Sequence, residues 1–287
     1  MYVVAGATGR VGSVVAKTLL TNGAGVRVLV RRSSDAEQWR AEGADVRILQ
    51  LDDRAALADA LRGCAGFFTL LPFDLHVANL AEHAERLTCS IAGAVADAAV
   101  PHVVMLSSMG ADLAEGTGPI TGLNRLERAL RETGTVLTAL RSGHFQEKVA
   151  DVIEIARESG VYPVFADSAD TPVPMVATAD LGSVAARALQ TPPDTSENLD
   201  ILGASYSERA VAKLLGESLG RELRVTTVPE EAWSAAFVEA GFRPHVADSL
   251  AELYRADAQG LLAPRGDRSV LVDIPMEATL AGMLAGR

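Results

Sequence analysis

The chain has 287 residues, 48% of them hydrophobic and 22% charged, enough to bury a full core as one large domain or as one domain with a smaller lobe. A formal charge of -11 argues against nucleic acid or an anionic membrane as a partner, so any phosphate must be met by local donors rather than by a general positive field. Cys64 and Cys89 are the only cysteines, too few for a disulfide framework or a thiolate metal site, and the longest apolar stretch, residues 89–106, is broken by Asp97, Pro101 and His102. A reducing, cytoplasmic setting without signal peptide or membrane span is therefore expected.

An apolar strand over residues 2–5 leads into Gly6-Ala7-Thr8-Gly9-Arg10-Val11-Gly12 and then into an amphipathic helix ending near Gly23. Glycines three apart let the backbone turn tightly, approach a pyrophosphate without Cβ clashes and pack the helix close to the strand. The helix N-terminus adds N–H groups and the positive end of its dipole. Gly6, Thr8, Gly9, Arg10, Val11 and Gly12 are thus expected around a dinucleotide pyrophosphate. A plain strand-to-helix turn would carry the same glycines, so the next segments have to decide.

Further strand-like runs at 26–30, 46–49, 66–71, 102–106 and 136–140 are each followed by a polar turn and a segment of helical period. That alternation implies parallel βαβ units with right-handed crossovers, and ligands then collect at the carboxyl ends of the strands. Ser34 and Glu37 read as a capping box and Gly43 as a helix stop, which puts Arg31 and Arg32 directly after the second strand. An NAD site usually has an acidic residue there, about 20 positions beyond the glycines, to bind the ribose 2′-OH. Two guanidinium groups instead match a 2′-phosphate, with Arg10 able to reach it from the other side, so NADP(H) is favoured over NAD.

After Glu158 the pattern loosens around Tyr162-Pro163 and Thr171-Pro172-Val173-Pro174-Met175. A helix over 179–189 and a strand over 199–202 are expected to return to the main sheet. From Ser205 a helix runs to Gly220, followed by a strand over 223–228 and helices opened by Pro229 and Pro244. The expected division is a dinucleotide-binding core, residues 1–150 with 175–203, and a smaller lobe, 151–174 with 204–287, that covers the reactive end of the cofactor.

GATGRVG at the start, LVRR after the second strand, SSMGA after Leu106, LRSGHF after the 136–140 strand and ATADLGSVAARAL at 177–189 together resemble the NmrA-like branch of the atypical short-chain dehydrogenase/reductases. The resemblance extends into the lobe through YSERAVAKLLGESLGRELRVTTVP. It implies a Rossmann-type doubly wound α/β fold with a small C-terminal α/β lobe and a bound NADP(H) or NAD(H). Gln50, followed by Leu51, stands where such relatives often place an Asp near the adenine.

Short-chain reductases of ketones use a Tyr-x-x-x-Lys pair, in which the tyrosine protonates the developing alkoxide and the lysine lowers its pKa. Tyr2, Tyr162, Tyr206 and Tyr254 all lie outside the corresponding helix, expected over 122–133, and Leu123 or a neighbour replaces the lysine. Arg125 and Arg128 read as solvent-facing charges paired with Glu127 or Glu132. Ser107 and Ser108 stand where a reductase places its polarising serine, so they are expected near the nicotinamide ribose or the substrate. Leu70, Leu71 and Pro72 should wall the nicotinamide. Phe73, Met109, His144 and Phe145 should face the substrate, with His144 the candidate proton donor. The other histidines lack metal-ligand spacing, and no metal is expected.

Two functions fit. One is a reductase passing hydride from NADPH to an acceptor that needs little acid catalysis, such as a quinone. The other is a non-enzymatic NADP(H)-binding regulator acting through protein partners. A monomer or homodimer is expected in either case.

Overall fold

The computed structural model describes residues 1–74 and 76–285. In chain order the strands and helices are β1 (Tyr2–Val4), α1 (Arg10–Thr21), β2 (Val26–Val30), α2 (Ala36–Ala41), β3 (Asp45–Ile48), α3 (Arg54–Leu61), β4 (Gly66–Leu70) and α4 (Leu80–Asp97). They continue with β5 (His102–Ser108), α5 (Ile120–Glu132), β6 (Val136–Ser142), β7 (His144–Phe145), α6 (Ile153–Ser159), β8 (Val161–Val164), β9 (Val173–Val176), α7 (Thr178–Gln190) and β10 (Glu197–Leu202). The last are β11 (Ser205–Tyr206), α8 (Glu208–Leu219), β12 (Arg224–Thr227), α9 (Trp233–Glu239), α10 (Pro244–Ala258), β13 (Arg268–Leu271) and α11 (Met276–Ala285).

Eight parallel strands form the main sheet in the order β13-β10-β6-β5-β4-β1-β2-β3. The chain leaves β1 towards β2 and β3, then crosses back to put β4 on the other side of β1. The order therefore reverses between β1 and β4, the switch point where a doubly wound sheet opens its ligand crevice. Both faces are covered, which is why the strands read as continuous apolar runs rather than alternating ones. Phe67 packs with Leu57, Ile91 and Leu126 of α3, α4 and α5, while its neighbour Phe68 packs on the opposite face with Val15 of α1 and Leu181 of α7.

The remaining elements build two further clusters. Ile153, Tyr162, Leu215 and Leu280 join α6, β8, α8 and α11, and Trp233, Phe237, Ala247 and Ala251 join α9 to α10. Four local expectations are corrected. The Ser34–Glu37 capping box does not form: a 3-10 turn over Ser33–Asp35 precedes α2, which has no side-chain cap, and the Asp35 carboxylate is taken by Arg32. Residues 173–176 pair with β7 and β11 in a separate three-stranded sheet, while the rest of the 175–203 stretch returns to the core as expected, α7 packing on the main sheet through Leu181 and Val184 and β10 joining it. β13, in the stretch expected to be lobe, returns to the main sheet beside β10. β5 and β6 also run two residues further than their apolar runs suggest, because Ser107 pairs with Arg141 and Ser108 with Ser142.

Candidate functional site

The turn between β1 and α1 needs its glycines for three separate reasons. Gly6 has φ of 66°, in the left-handed region, and a Cβ there would lie 2.5 Å from Leu70 Cδ2. A Cβ on Gly12 would collide with the Gly6 carbonyl and come within 2.9 Å of the Ala5 oxygen, so Gly12 lets α1 sit directly on the turn. Gly9 is the N-cap, exposed, and a Cβ there would meet only the Gly6 oxygen, at 3.3 Å. Its outer side is the one left open.

α1 begins with neither a side-chain cap nor an acidic residue in its first turn. Its packed neighbour α7 is closed differently: the buried Glu147 carboxylate accepts from Thr178 N at 2.9 Å. The first-turn N–H groups of α1 thus retain their electropositive end for an external anion, at the switch point of the sheet. Thr8, Gly9 and Arg10 are exposed there, while the Val11 side chain packs in the core, which restricts any contact from Val11 to its backbone.

Arg31 and Arg32 both emerge exposed after β2, but they are not equivalent. Arg32 forks onto Asp35 with two contacts of 3.1 Å, and that partner raises its pKa above the ordinary guanidinium value through hydrogen bonding first and charge second. Arg31 and Arg10 have no side-chain partner among the described residues. Gln50 is exposed beyond β3, and Leu51 is half-buried, its carbonyl accepting from Ser90 Oγ at 2.7 Å.

Along the reactive side, Leu70 lies against Gly6, Pro72 is half-buried and Phe73 is exposed. Leu71 turns inward, where its Cδ2 closes on Gly122 of α5, so its side chain serves the core rather than a ligand. Ser107 also departs from expectation. It is buried and donates to Glu127 Oε1 at 2.6 Å, while Arg141 of β6 holds the same carboxylate through contacts of 3.1 and 2.7 Å. Glu127 therefore pairs with neither Arg125 nor Arg128, which are exposed. Burial opposes the Arg141 charge, but its hydrogen bonds to Glu127 and the neighbouring carboxylates outweigh it and hold the guanidinium above its ordinary value.

Ser108 is half-buried and donates to the Met109 carbonyl at 2.9 Å. Met109 is buried, its N–H on the Ser142 carbonyl at 3.0 Å and its sulfur 3.7 Å from where a Gly143 Cβ would be. His144 and Phe145 follow as β7, paired with Met175 and Val176 of β9, and Phe145 packs half-buried against the core.

Sequence reasoning missed three residues here. His144 Nε2 lies 3.0 Å from Asp257 Oδ2 of α10, close enough for an ion pair but with the N–H not aligned as a hydrogen bond. Burial opposes ionisation of Asp257, yet His144 and the charge of Lys148 hold its carboxyl below the usual value. Lys148 Nζ stands 4.3 Å from the centroid of the Tyr254 ring, one helical turn before Asp257 on α10. Tyr254 and Asp257 share a helix face at i, i+3, which was readable, but nothing local says that this helix reaches the end of β6 more than a hundred residues earlier. It is seated there by Leu262, close on Gly110, and by the Ser249–Leu253 backbone, close on Gly118. A separate groove of about 660 Å³ is lined by Lys213, Gly216, Glu217 and Arg221, on α8 and the loop after it, and by none of the candidate site residues. Among the charges that line it, Lys213 pairs with Glu217, Arg209 with Asp170, and Arg221 donates to the Arg157 carbonyl.

The sequence profile of the NmrA-like family matches residues 2–259. The chain is 26% identical over 257 residues to an NAD(P)H azoreductase of Xenophilus azovorans, and 26% identical over 259 residues to quinone oxidoreductase 2 of Escherichia coli; each match covers 88% of this chain and 86% of the relative. Among solved structures it is similar to the NADPH-dependent quinone oxidoreductase of Escherichia coli, with a TM-score of 0.79 and 22% identity over 99% of this chain and 100% of the other. It is also similar to the Citrobacter sp. triphenylmethane reductase complexed with NADP(H), with a TM-score of 0.81 and 21% identity over 98% and 99%. These likenesses establish the fold.

Proposed function

We propose that this chain, which belongs to the NmrA-like family, is an NADP(H)-dependent oxidoreductase that passes hydride to a flat, electron-poor acceptor of the quinone class. The observation that carries the reading is the α1 N-terminus: uncapped, at the switch point, behind three glycines of which Gly9 alone is open outward. A dinucleotide pyrophosphate fits that cradle, and Arg10 and Arg31 are the cations placed for a 2′-phosphate, with Arg32 secondary because it is held by Asp35. When bound, the reduced nicotinamide supplies a hydride equivalent.

The acceptor class follows from α5. Where a ketone reductase needs its acid pair, this helix buries Leu123 and commits Glu127 to Arg141 and Ser107. A ketone receiving hydride builds full charge on one oxygen and loses the roughly 10²–10⁴-fold help of a positioned acid. A quinone spreads the added electrons over a ring that becomes aromatic, so it needs mainly proximity and stacking, which Phe73 and Phe145 can offer. The names of the azoreductase and quinone oxidoreductase relatives point to acceptors of the same conjugated kind. Within this reading the segments 151–174 and 204–287, β13 excepted, serve as the lobe that roofs the acceptor. No helix among the described residues is long and apolar enough to cross a membrane, and Cys64 and Cys89 are free thiols, which suits a reducing cytoplasmic setting.

The test is NADPH oxidation against a panel of quinones, azo dyes and simple ketones, with cofactor binding measured in parallel. Turnover of small quinones and none of ketones is expected. Tight NADPH binding without oxidation by any acceptor would move the protein to the regulator class, and efficient ketone turnover would mean that an acid assists the hydride step itself.

A further inference from the structure

We propose that Asp257 is the positioning residue for His144, and that the two, one from α10 and one from the end of the sheet, form a dyad that delivers the proton to the reduced acceptor. This rests on the reductase reading. The ring nitrogens of an imidazole face different sides, so holding Nε2 at 3.0 Å from Asp257 Oδ2 turns Nδ1 away from the carboxylate. That is the arrangement in which a carboxylate fixes one nitrogen and supports the imidazolium while the other exchanges a proton with substrate. The pair is partly open, with side chains 18% and 27% exposed, as a group that must regain its proton from water requires.

The surroundings agree. Lys148, from the 3-10 segment after β7, brings a positive charge to Asp257 while standing over the Tyr254 ring, and Glu208 of α8, which accepts from Tyr162 at 2.7 Å, balances Lys148 from behind. Among the described residues, Lys148 acts on Asp257 besides His144, and Tyr254 and Glu208 act on Lys148. Because Leu262 seats on Gly110 and the Ser249–Leu253 turn on Gly118, α10 lies over the loop that follows β5, and the dyad stands beside Gly143 and Met109, at the acceptor end of the crevice.

A bound reduced nicotinamide would supply hydride, two electrons and one hydrogen, to one quinone oxygen, leaving the hydroquinone anion with its charge on the other oxygen. The Nδ1–H bond of His144 breaks as the O–H bond forms, its electron pair staying on the ring, and the ring takes a proton back from water. Asp257 keeps its charge throughout.

The experiment compares wild type, Asp257→Asn and Asp257→Glu in kcat, acceptor KM and NADPH Kd. Asp257→Asn should lower kcat by about tenfold and leave KM and Kd unchanged, because the carboxylate holds the ring and touches neither cofactor nor acceptor. Asp257→Glu, which keeps the charge, should recover much of the loss. An unchanged kcat in Asp257→Asn, or equal losses of kcat and NADPH affinity in both variants, would overturn the dyad while leaving the reductase reading intact. A second measurement needs no turnover: the carboxyl ¹³C titration of Asp257 should lie below the ordinary range and rise in His144→Gln. An unmoved carboxyl contradicts the positioning role. A protein that oxidises no NADPH contradicts the reductase reading and the proton transfer with it, and the carboxyl titration still decides the contact.

Discussion

Arg141 and His144 stand three residues apart at the end of β6, and each meets a helix carboxylate, Arg141 that of α5 just before the strand and His144 that of α10 over a hundred residues on, yet their surroundings give them different work. Arg141 and Glu127 are sealed, with side chains 6% and 4% exposed, and Ser107 occupies a further lone pair of the carboxylate. His144 and Asp257 are several times more open and are not aligned as a hydrogen bond. The sealed pair cannot trade protons with anything and acts as scaffold, locking β5 and β6 to α5. The open pair leaves part of each side chain exposed, which is what a group that must exchange protons with water needs. An ion pair near a catalytic edge is therefore no evidence of chemistry until its burial and remaining valence are counted.

The largest effect should come from breaking the sealed side. Arg141→Leu leaves a buried carboxylate without its partner and should cost about 3–5 kcal/mol of stability in chemical denaturation, while the double variant with Glu127→Leu should recover most of that loss. A single variant as stable as wild type would mean that water reaches Glu127.

Gly9→Val addresses the cofactor edge. The fold should survive, because only the Gly6 oxygen lies near, but the branch enters the open side of the cradle. NADPH affinity should fall about a hundredfold, ~2.8 kcal/mol, by calorimetric titration. Unchanged affinity would remove the glycine turn from the site. The two arginines sharpen the account further. Arg31→Ala should weaken NADPH by about 1.5–3 kcal/mol with little change for NADH. Arg32→Ala should do less, because Asp35 already holds that guanidinium. Equal losses for both cofactors would make these arginines structural.

The smallest effect concerns acid stability. Asp257 titrates below its unfolded value in the folded protein, so its contribution is present above the ordinary carboxylate range and is lost as pH falls through the lowered folded value. The wild-type advantage over Asp257→Asn in Tm should therefore shrink towards low pH, with under about 1 kcal/mol at stake for so open a pair. An advantage that grew with acid would reverse the sign assigned to Asp257.

What was legible in the sequence followed from how local the cause was. The glycine turn, the βαβ alternation and the arginines after β2 are each set within a few residues, and backbone sterics and side-chain period fix them. The Ser34–Glu37 cap was misread because two local partners competed for the same turn, and the Arg32–Asp35 fork took it. Ser107 and Leu71 were misassigned because strand ends do not reveal which face a side chain takes until the strand's true length is known. β13 was placed in the lobe since a four-residue strand of Arg, Ser, Val and Leu has no period of its own, and its pairing with β10 arises more than sixty residues away. Asp257 is a charged residue in a helical segment like many others, and only the packing of α10 over the loop after β5 brings it to His144; the same packing sets the Tyr254 ring against Lys148, which follows His144 by four residues.

The most direct test of the central claim is a single turnover. Protein loaded with NADPH is mixed with a small naphthoquinone, and the decay of the nicotinamide absorbance is followed with protium or deuterium at the transferred position. A decay that tracks quinone concentration, slows with deuterium and disappears when a simple ketone replaces the quinone is expected. Bound NADPH that persists unchanged in the presence of the quinone would contradict the claim.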